Sequence, residues 1–286
     1  MIKTIFLLGH PVGHSISPIF QQVALDYYNL PIVYKPIDVL PDKLAETIDL
    51  LRQEDFVGAN VTVPHKETVF DLLDEVDDIA RVVGAVNTIE NQSGKLIGHN
   101  TDVDGFIMSL KKNATFNPYG KKCVVIGAGG SARAVITGLL GVGVAHIAIF
   151  NRTFLRAANL ANTMNPEGNK IQAIDMQEIN LFERFVQEAD LIVNCTSIGM
   201  KGGPDPEKTP VPVDIISAKS LITDLVYNPE QTSLIRGASK AGANVLTGLS
   251  MLVYQGAISF EIWTGKKAPV DQMFFAAKVA INKQAE

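Results

Sequence analysis

The sequence predicts an α/β protein of two domains: an N-terminal α/β domain and a Rossmann-type, doubly wound domain that binds a dinucleotide. Three observations carry this. At 286 residues the chain has the length of two ordinary domains. Short apolar runs alternate with helical patterns, as in parallel sheets joined by helical crossovers. Finally, the apolar run Cys123–Ile126 meets the turn Gly127-Ala128-Gly129-Gly130-Ser131-Ala132, and a small-residue helix pattern, Ala134–Leu140, follows. Strand, tight turn and helix form the context in which a G-x-G-x-x-A run holds a dinucleotide. Gly127 permits the turn, Gly129 admits the pyrophosphate, and Ala132 lets helix and strand pack closely. The helix N-terminus adds free N–H groups and the positive end of its dipole.

Hydrophobic residues make up 47% of the chain and charged residues 19%, enough to build packed cores. The net charge is −5 with no basic block, which argues against nucleic acid as a partner. Cys123 and Cys195 both lie in apolar strand-like runs without a C-x-x-C neighbour. They read as buried thiols of a reducing compartment, not as a disulfide or a zinc site. The N-terminal apolar run is too short for a signal peptide and reads as a first strand. No charge falls between Lys240 and Glu261, but Asn244, Thr247, Ser250, Gln255 and Ser259 interrupt the stretch. A buried helix with a polar stripe fits it better than a membrane span.

The first strand is expected at Ile5–Leu8, followed by the turn Gly9 to Pro18. Pro18 can open a helix running to about Tyr28, with Ser17 as its N-cap. Ser15 and Ser17 also sit where open α/β sheets place ligands, at a strand's carboxyl end, so they can face a polyhydroxylated one. His10 and His14 are separated by Pro11 and Gly13 and lack further ligands at metal spacing, so no metal site is expected. A second strand is expected at Val33–Val39 and an amphipathic helix at Pro41–Arg52. In Gly58–Lys66, alternation puts Asn60 and Thr62 on one strand face. Pro64 ends that strand and places Lys66 in the first turn of a helix at about His65–Leu73. A cation is disfavoured there, which suits a lysine used for proton transfer; an exposed surface lysine is the simpler alternative. Asn87-Thr88 and Asn100-Thr101-Asp102 end two further apolar stretches, and Asp102 precedes the helical pattern Val103–Lys111.

The turn-rich run Asn113–Gly120 marks a domain boundary, giving 1–112 as the first domain and 113–246 as the dinucleotide domain. The next strand, His146–Phe150, leads into Asn151-Arg152-Thr153 and Arg156. NAD sites carry an Asp or Glu at that position for the ribose 2′-hydroxyl. Here an asparagine and two arginines stand there, which favours the 2′-phosphate of NADP. Further strands are expected at Ala189–Cys195 and Leu221–Val226, with an irregular excursion from Gly202 to Pro212.

Taken together, these clusters resemble the shikimate dehydrogenase family over nearly the whole chain. Residues 9–18 are similar to its G-x-P-x-x-H-S-x-S-P, and Asn60–Lys66 to its N-V-T-x-P-x-K. Gly84–Thr88 and Asn100–Asp102 resemble its G-A-x-N-T and N-T-D, and Gly127–Arg133 and Asn151–Thr153 its G-A-G-G-x-x-R and N-R-T. Asn194–Met200, Asp224–Pro229 and Gly248–Gln255 complete the set. Gln21-Gln22 departs from the family's His-Asn, which bears on helix packing.

The resemblance implies an NADP-dependent enzyme of aromatic amino acid and chorismate biosynthesis. It would interconvert 3-dehydroshikimate and shikimate in the cytoplasm, and a homodimer stays open. Lys66 would be the acid/base and Asp102 its partner. Ser15, Ser17, Asn60, Thr62, Asn87 and Gln255 would hold substrate, with Tyr227 nearby. Gly127 to Ala132, Asn151, Arg152, Thr153, Arg156, Thr196, Met200, Gly248 and Met251 would hold cofactor. The segment 247–286 would return to the first domain and bring Gln255 to the substrate. The rivals are a quinate/shikimate dehydrogenase using NAD or both cofactors, and a ligand-sensing relative without catalysis. Ser17 leans towards shikimate, since threonine there accompanies quinate preference. The intact Lys66 and Asp102 argue against a sensor.

Overall fold

A computed structural model describes residues 2–165 and 169–285. The chain forms two compact units, Met1–Gly105 with Leu252–Glu286, and Phe106–Met251. The chain passes between them inside two helices, at Gly105/Phe106 and Met251/Leu252. The turn-rich run 113–120 lies within the second unit.

The first unit begins with β1 (Lys3–Gly9), α1 (Ser17–Tyr27), β2 (Ile32–Asp38), α2 (Leu44–Leu50) and β3 (Phe56–Val61). It continues with β4 (Glu75–Val76), α3 (Asp78–Val83), β5 (Thr88–Gln92), β6 (Lys95–His99) and the start of α4 (Asp102–Asn113). The sheet runs β2-β1-β3-β5-β6-β4. β1 lies parallel to β2 and β3, and β5 antiparallel to β3 and β6. Its core sets Leu8, Ala59, Val61, Ile89 and Leu96 against Leu44, Ile48 and Leu51 of the α2 region. The β5–β6 hairpin turns at Ser93 and Gly94, both with positive φ, as a two-residue hairpin turn requires.

Three local expectations differ from the structure. Ser17 is the first residue of α1, not its cap; Ile16 takes that place with no side-chain cap bond. The serine oxygen at this helix start belongs to Ser15, whose Oγ accepts from Ser17 N at 3.2 Å. Pro41–Lys43 form a 3-10 turn ahead of α2, so the helix is shorter than the periodicity suggests. No α-helix starts at His65 either. Lys66 lies in a turn before a 3-10 segment, Thr68–Leu72, and its carbonyl accepts from Val86 N at 2.8 Å. That bond from a distant part of the same chain takes the acceptor a helix would have used. The helix-dipole argument for Lys66 therefore does not hold.

The second unit contains β7 (Lys122–Ile126), α5 (Gly130–Gly141), β8 (His146–Phe150), α6 (Phe154–Met164), β9 (Ile171–Ile174) and α7 (Ile179–Glu188). β10 (Leu191–Asn194), β11 (Leu221–Asp224), α8 (Ser233–Lys240) and β12 (Asn244–Thr247) complete it. All six strands are parallel in the order β12-β11-β10-β7-β8-β9, the doubly wound arrangement. The direction of winding reverses between β7 and β10, which is where such sheets bind ligands. Val125, Ile149 and Val193 face one apolar layer with α5 and α6, and Val124, Phe150 and Ile222 face the other.

The uncharged stretch after Lys240 becomes β12 and α9 (Gly248–Thr264), and α10 (Val270–Ala285) closes the chain. Among the described residues no helix is long and apolar enough to cross a membrane.

Candidate active site

Lys66, in the turn after β3, and Asp102, at the start of α4, form the centre of the site. Lys66 Nζ donates to Asp102 Oδ2 at 2.5 Å, and the two side chains are 13% and 5% exposed. The other carboxylate oxygen, Oδ1, accepts from Asn87 Nδ2 at 2.9 Å. Asn87, just before β5, has its amide orientation set by two donors to its Oδ1: Thr101 N at 2.8 Å and Thr88 Oγ1 at 3.1 Å. Its Nδ2 therefore faces Asp102 and also lies 3.1 Å from Gln255 Oε1. Gln255 comes from α9, far away in sequence. Asn100 holds the start of α4 in place, accepting from Asp102 N through Oδ1 and donating to Ala85 O.

Below this cluster lies a buried polar floor. α9 turns Gln255, Ser259 and Trp263, spaced four apart, to one face. Ser259 Oγ lies 2.7 Å from Thr88 Oγ1, 3.2 Å from Thr101 Oγ1 and 3.1 Å from Asn60 Nδ2. Trp263 Nε1 donates to Ile89 O. Asn60 Oδ1 accepts from the Tyr34 hydroxyl at 2.7 Å, and its Nδ2 also reaches Asn87 O. Burial raises the Tyr34 phenol well above its usual range, so it stays a neutral donor. Asn60, which the sequence aims at a ligand, instead has its whole amide engaged inside the protein. A second close approach sits beside it. A Cβ on Gly105 would lie 2.8 Å from both Cβ and N of Gln255, so glycine is what lets α4 and α9 meet there.

Ser15 and Ser17 occupy the loop and helix start after β1; Ser15 is half-buried and Ser17 is buried. Thr62 follows the last residue of β3, and Thr62 N donates to Leu8 O. α1 is tied to α9 by Gln21 Nε2, which donates to Gly256 O at 2.8 Å. The Gln21-Gln22 departure is thus accommodated, with Gln22 Oε1 accepting from Tyr34 N. Gln21 Oε1 is buried without a partner.

The second unit holds the other predicted set. Gly127 has φ +111, and a Cβ there would press on the Cys195 carbonyl at 3.1 Å, so only glycine suits the turn. Gly129 faces open space, where an added Cβ would meet nothing within 4 Å. Gly129 is the N-cap of α5 and supplies no side chain to its free N–H groups. Ser131 and Ala132 lie in the first turn of α5 beside Gly130, and Ala128 precedes them in the turn. Past β8, Arg152, Thr153 and Arg156 are exposed, and Asn151 Nδ2 donates to Thr153 O. No carboxylate stands among them. This cradle fits a dinucleotide phosphate on its own geometry.

Thr196 follows β10, its hydroxyl donating to Asn194 Oδ1 at 2.7 Å. Asn194 Nδ2 donates to Asp224 Oδ1, and the Thr232 hydroxyl donates to Asp224 Oδ2. Burial raises the Asp224 carboxyl, while bonds from Thr232, Val226 and Asn194 oppose it. This network shapes the loop that carries Thr196 and Met200. The motifs flag Asn194 and Asp224, but their pairing across β10 and β11 appears only in the fold. Gly248 abuts the Leu225 carbonyl and Met251 is 8% exposed in the core, so both have packing reasons for their identity. Tyr227 lies half-buried after β11. Burial pushes both thiols up, Cys123 to about 12 and Cys195 further. Among the described residues no group of three or more His, Cys, Asp or Glu could hold a metal.

The residues missed by sequence reasoning are Tyr34, Gly105 and Ser259. None carries a local motif; the spacing of Ser259 four residues after Gln255 is the one signal the sequence offers.

Three family models match this chain: a shikimate dehydrogenase substrate binding domain over residues 7–89, a shikimate / quinate 5-dehydrogenase over 109–200, and a shikimate 5′-dehydrogenase C-terminal domain over 248–273. The shikimate dehydrogenase (NADP(+)) of Methanopyrus kandleri is 44% identical over 93% of this chain and 92% of its own length. The crystal structure of shikimate 5-dehydrogenase from Thermus thermophilus, in complex with NADP(H) and shikimate, is 36% identical with a TM-score of 0.86. It covers 97% of this chain and 99% of its own. Quinate dehydrogenase from Corynebacterium glutamicum in complex with NAD superposes with a TM-score of 0.87 at 29% identity, covering 97% and 99%.

Proposed function

The chain belongs to the shikimate dehydrogenase family, and we infer that it catalyses the reversible NADP-dependent reduction of 3-dehydroshikimate to shikimate. The observation that carries the chemistry is the buried Lys66–Asp102 pair, oriented by Asn87 beside Gln255. When bound, NADPH would supply the hydride for reduction and NADP+ would accept it in the reverse direction. The chain must then manage the proton, since an alcohol and a carbonyl differ by a hydride and a proton.

In the reductive direction the Lys66 ammonium gives its proton to the carbonyl oxygen. In the oxidative direction the neutral amine takes the hydroxyl proton. Asp102 accepts a hydrogen bond from the same hydroxyl and fixes it relative to Nζ. Ser15, Ser17, Thr62, Asn87 and Gln255 hold the ring's remaining hydroxyls and carboxylate, while Asn60 supports Asn87 through its bond to the Asn87 carbonyl; Tyr227 is a further substrate contact by resemblance to the family. Many small polar groups suit a polyhydroxylated ring, because each unpaired donor or acceptor discriminates against a wrong one.

For the cofactor, Gly127, Ala128, Gly129, Gly130, Ser131 and Ala132 would receive the pyrophosphate at the α5 N-terminus. Asn151, Arg152, Thr153 and Arg156 would hold the 2′-phosphate, with Thr196 and Met200 towards the nicotinamide. Gly248 and Met251 would support that end through packing. Cys123 and Cys195, both free thiols, suit a reducing compartment, the cytoplasm.

The test is an absorbance assay at the reduced-nicotinamide band that crosses shikimate and quinate with NADP and NAD. Turnover is expected with shikimate and NADP. Comparable turnover with quinate and NAD would move the reading to the broader enzyme, and binding without turnover would make the chain a sensor. A companion variant, Gly105→Ala, should raise KM for shikimate about ten-fold while KM for NADP holds, because overpacking of about 1–3 kcal/mol displaces Gln255. An unchanged shikimate KM would remove Gln255 from the substrate contacts.

A further inference from the structure

Helix α1 carries Ser17 at its first position and Gln21 one turn later, so the two side chains lie on one face of the helix. Both are buried. α1 meets α9 at Gly256, the residue after Gln255. A Cβ on Gly256 would lie 2.6 Å from Phe20 Cε2 and 3.0 Å from Gln21 Nε2, so glycine is what lets the two helices come together there. Through that opening Gln21 Nε2 donates to the Gly256 carbonyl at 2.8 Å. Further along, Tyr28 stacks on Phe260 with ring centroids 6.0 Å apart, and its hydroxyl donates to Lys267 O.

The amide of Gln21 is used on one side only. Its Nε2 faces the Gly256 carbonyl, and its Oε1 is buried without a partner. Turning the amide over gives no relief, because it would set oxygen against oxygen at Gly256. A buried acceptor without a donor costs free energy. Joining α1 to α9 does not call for that cost. Phe20 and Tyr28 already pack against α9, and a methionine at position 21 would fill the same space with nothing left unpaired. The Gly256 carbonyl would keep its place in the α9 ladder. What the amide adds is direction. Apolar contacts are non-directional and let packed helices slide and turn, whereas a hydrogen bond fixes which carbonyl of α9 stands opposite Gln21. That carbonyl adjoins Gln255, whose Oε1 accepts from Asn87 Nδ2 and whose backbone meets Gly105. Gln255 is thus placed by two helices, α4 through Gly105 and α1 through Gly256.

We propose that Gln21 is a positioning residue for substrate binding: its bond to Gly256 sets the height and rotation of this part of α9, and with them the place of Gln255 relative to Ser17. This rests on the reading of Ser17 and Gln255 as substrate contacts. A polyhydroxylated ring held by groups from both helices binds less well when one helix shifts against the other. Lys66 and Asp102 come from other elements, so the proton step is spared.

A double-mutant cycle on shikimate turnover tests this on the full chain, with Gln21→Met, Gln255→Ala and both together. Gln21→Met should raise KM for shikimate about five-fold, the size of one neutral hydrogen bond, while kcat, KM for NADP and Tm hold. Gln255→Ala should raise it as well. The two together should do no more than Gln255→Ala alone, since Gln21 acts through Gln255. A residue that only joins the helices gives a different pattern: Tm falls with Gln21→Met and the two KM effects multiply. Either of those results overturns the proposal. Where the wild type turns over shikimate and Gln255→Ala raises KM but Gln21→Met does not, only the role of Gln21 falls. Where Gln255→Ala leaves KM unchanged, or the wild type does not turn over shikimate, the substrate contacts themselves fall and the role of Gln21 with them.

Discussion

Lys66→Ala should lower kcat by about 10²–10⁴-fold and leave cofactor affinity unchanged, the range expected on removing a general acid/base. The geometry makes the split specific. Truncation removes the ammonium that holds Asp102 Oδ2 at 2.5 Å and leaves a carboxylate 5% exposed with Asn87 as its neighbour. Nothing in the Gly127–Ala132 turn depends on that pair, since the turn is built by β7, α5 and the Cys195 carbonyl. Steady-state turnover of shikimate, alongside a fluorescence titration with NADPH, separates the two effects. A variant with near-normal kcat would exclude Lys66 as the proton donor. One that loses both kcat and NADPH binding would point to a folding defect, which thermal melting would reveal.

The second large effect is expected in the nucleotide unit. Replacing Arg152 and Arg156 together by alanine should raise KM for NADP by about 10–100-fold, because a charge-assisted hydrogen bond contributes roughly 1.5–3 kcal/mol. KM for NAD should hardly move, so the NADP/NAD preference should collapse. Two exposed guanidiniums follow β8, and asparagine stands at Asn151 where NAD sites carry Asp or Glu. Raising the salt concentration should weaken wild-type NADP binding in the same direction, since exposed charge pairs are screened. An NADP/NAD ratio unchanged in the double variant would remove these arginines from the 2′-phosphate contact.

Much of the fold was legible locally. β8 falls at His146–Phe150 as its apolar run predicts, and the Gly127–Ala132 turn lies between β7 and α5. These segments combine an unbroken buried run with turn glycines, so propensity and burial agree. β9 and β12 were not legible. Ile171–Ile174 and Asn244–Thr247 are four residues each with polar positions, and only pairing with β8 and β11 makes them strands. At Lys66 the local pattern misled, because the Val86 N–H takes the carbonyl that a helix would have used.

By itself, then, the sequence determined the chemical inventory: a dinucleotide turn, a basic pair after the second strand, and clusters of Ser, Thr, Asn, Lys and Asp at strand ends. Those are local properties, written in residue type and spacing over a few positions. Only the tertiary structure decided what the inventory does in space. It turned Asn60 inward to Tyr34, set Gly105 against Gln255, and brought Ser259 of α9 under Thr88 and Thr101. Those contacts join residues up to 171 positions apart. No local preference encodes them, because they arise when long-range packing buries polar groups that must then find partners.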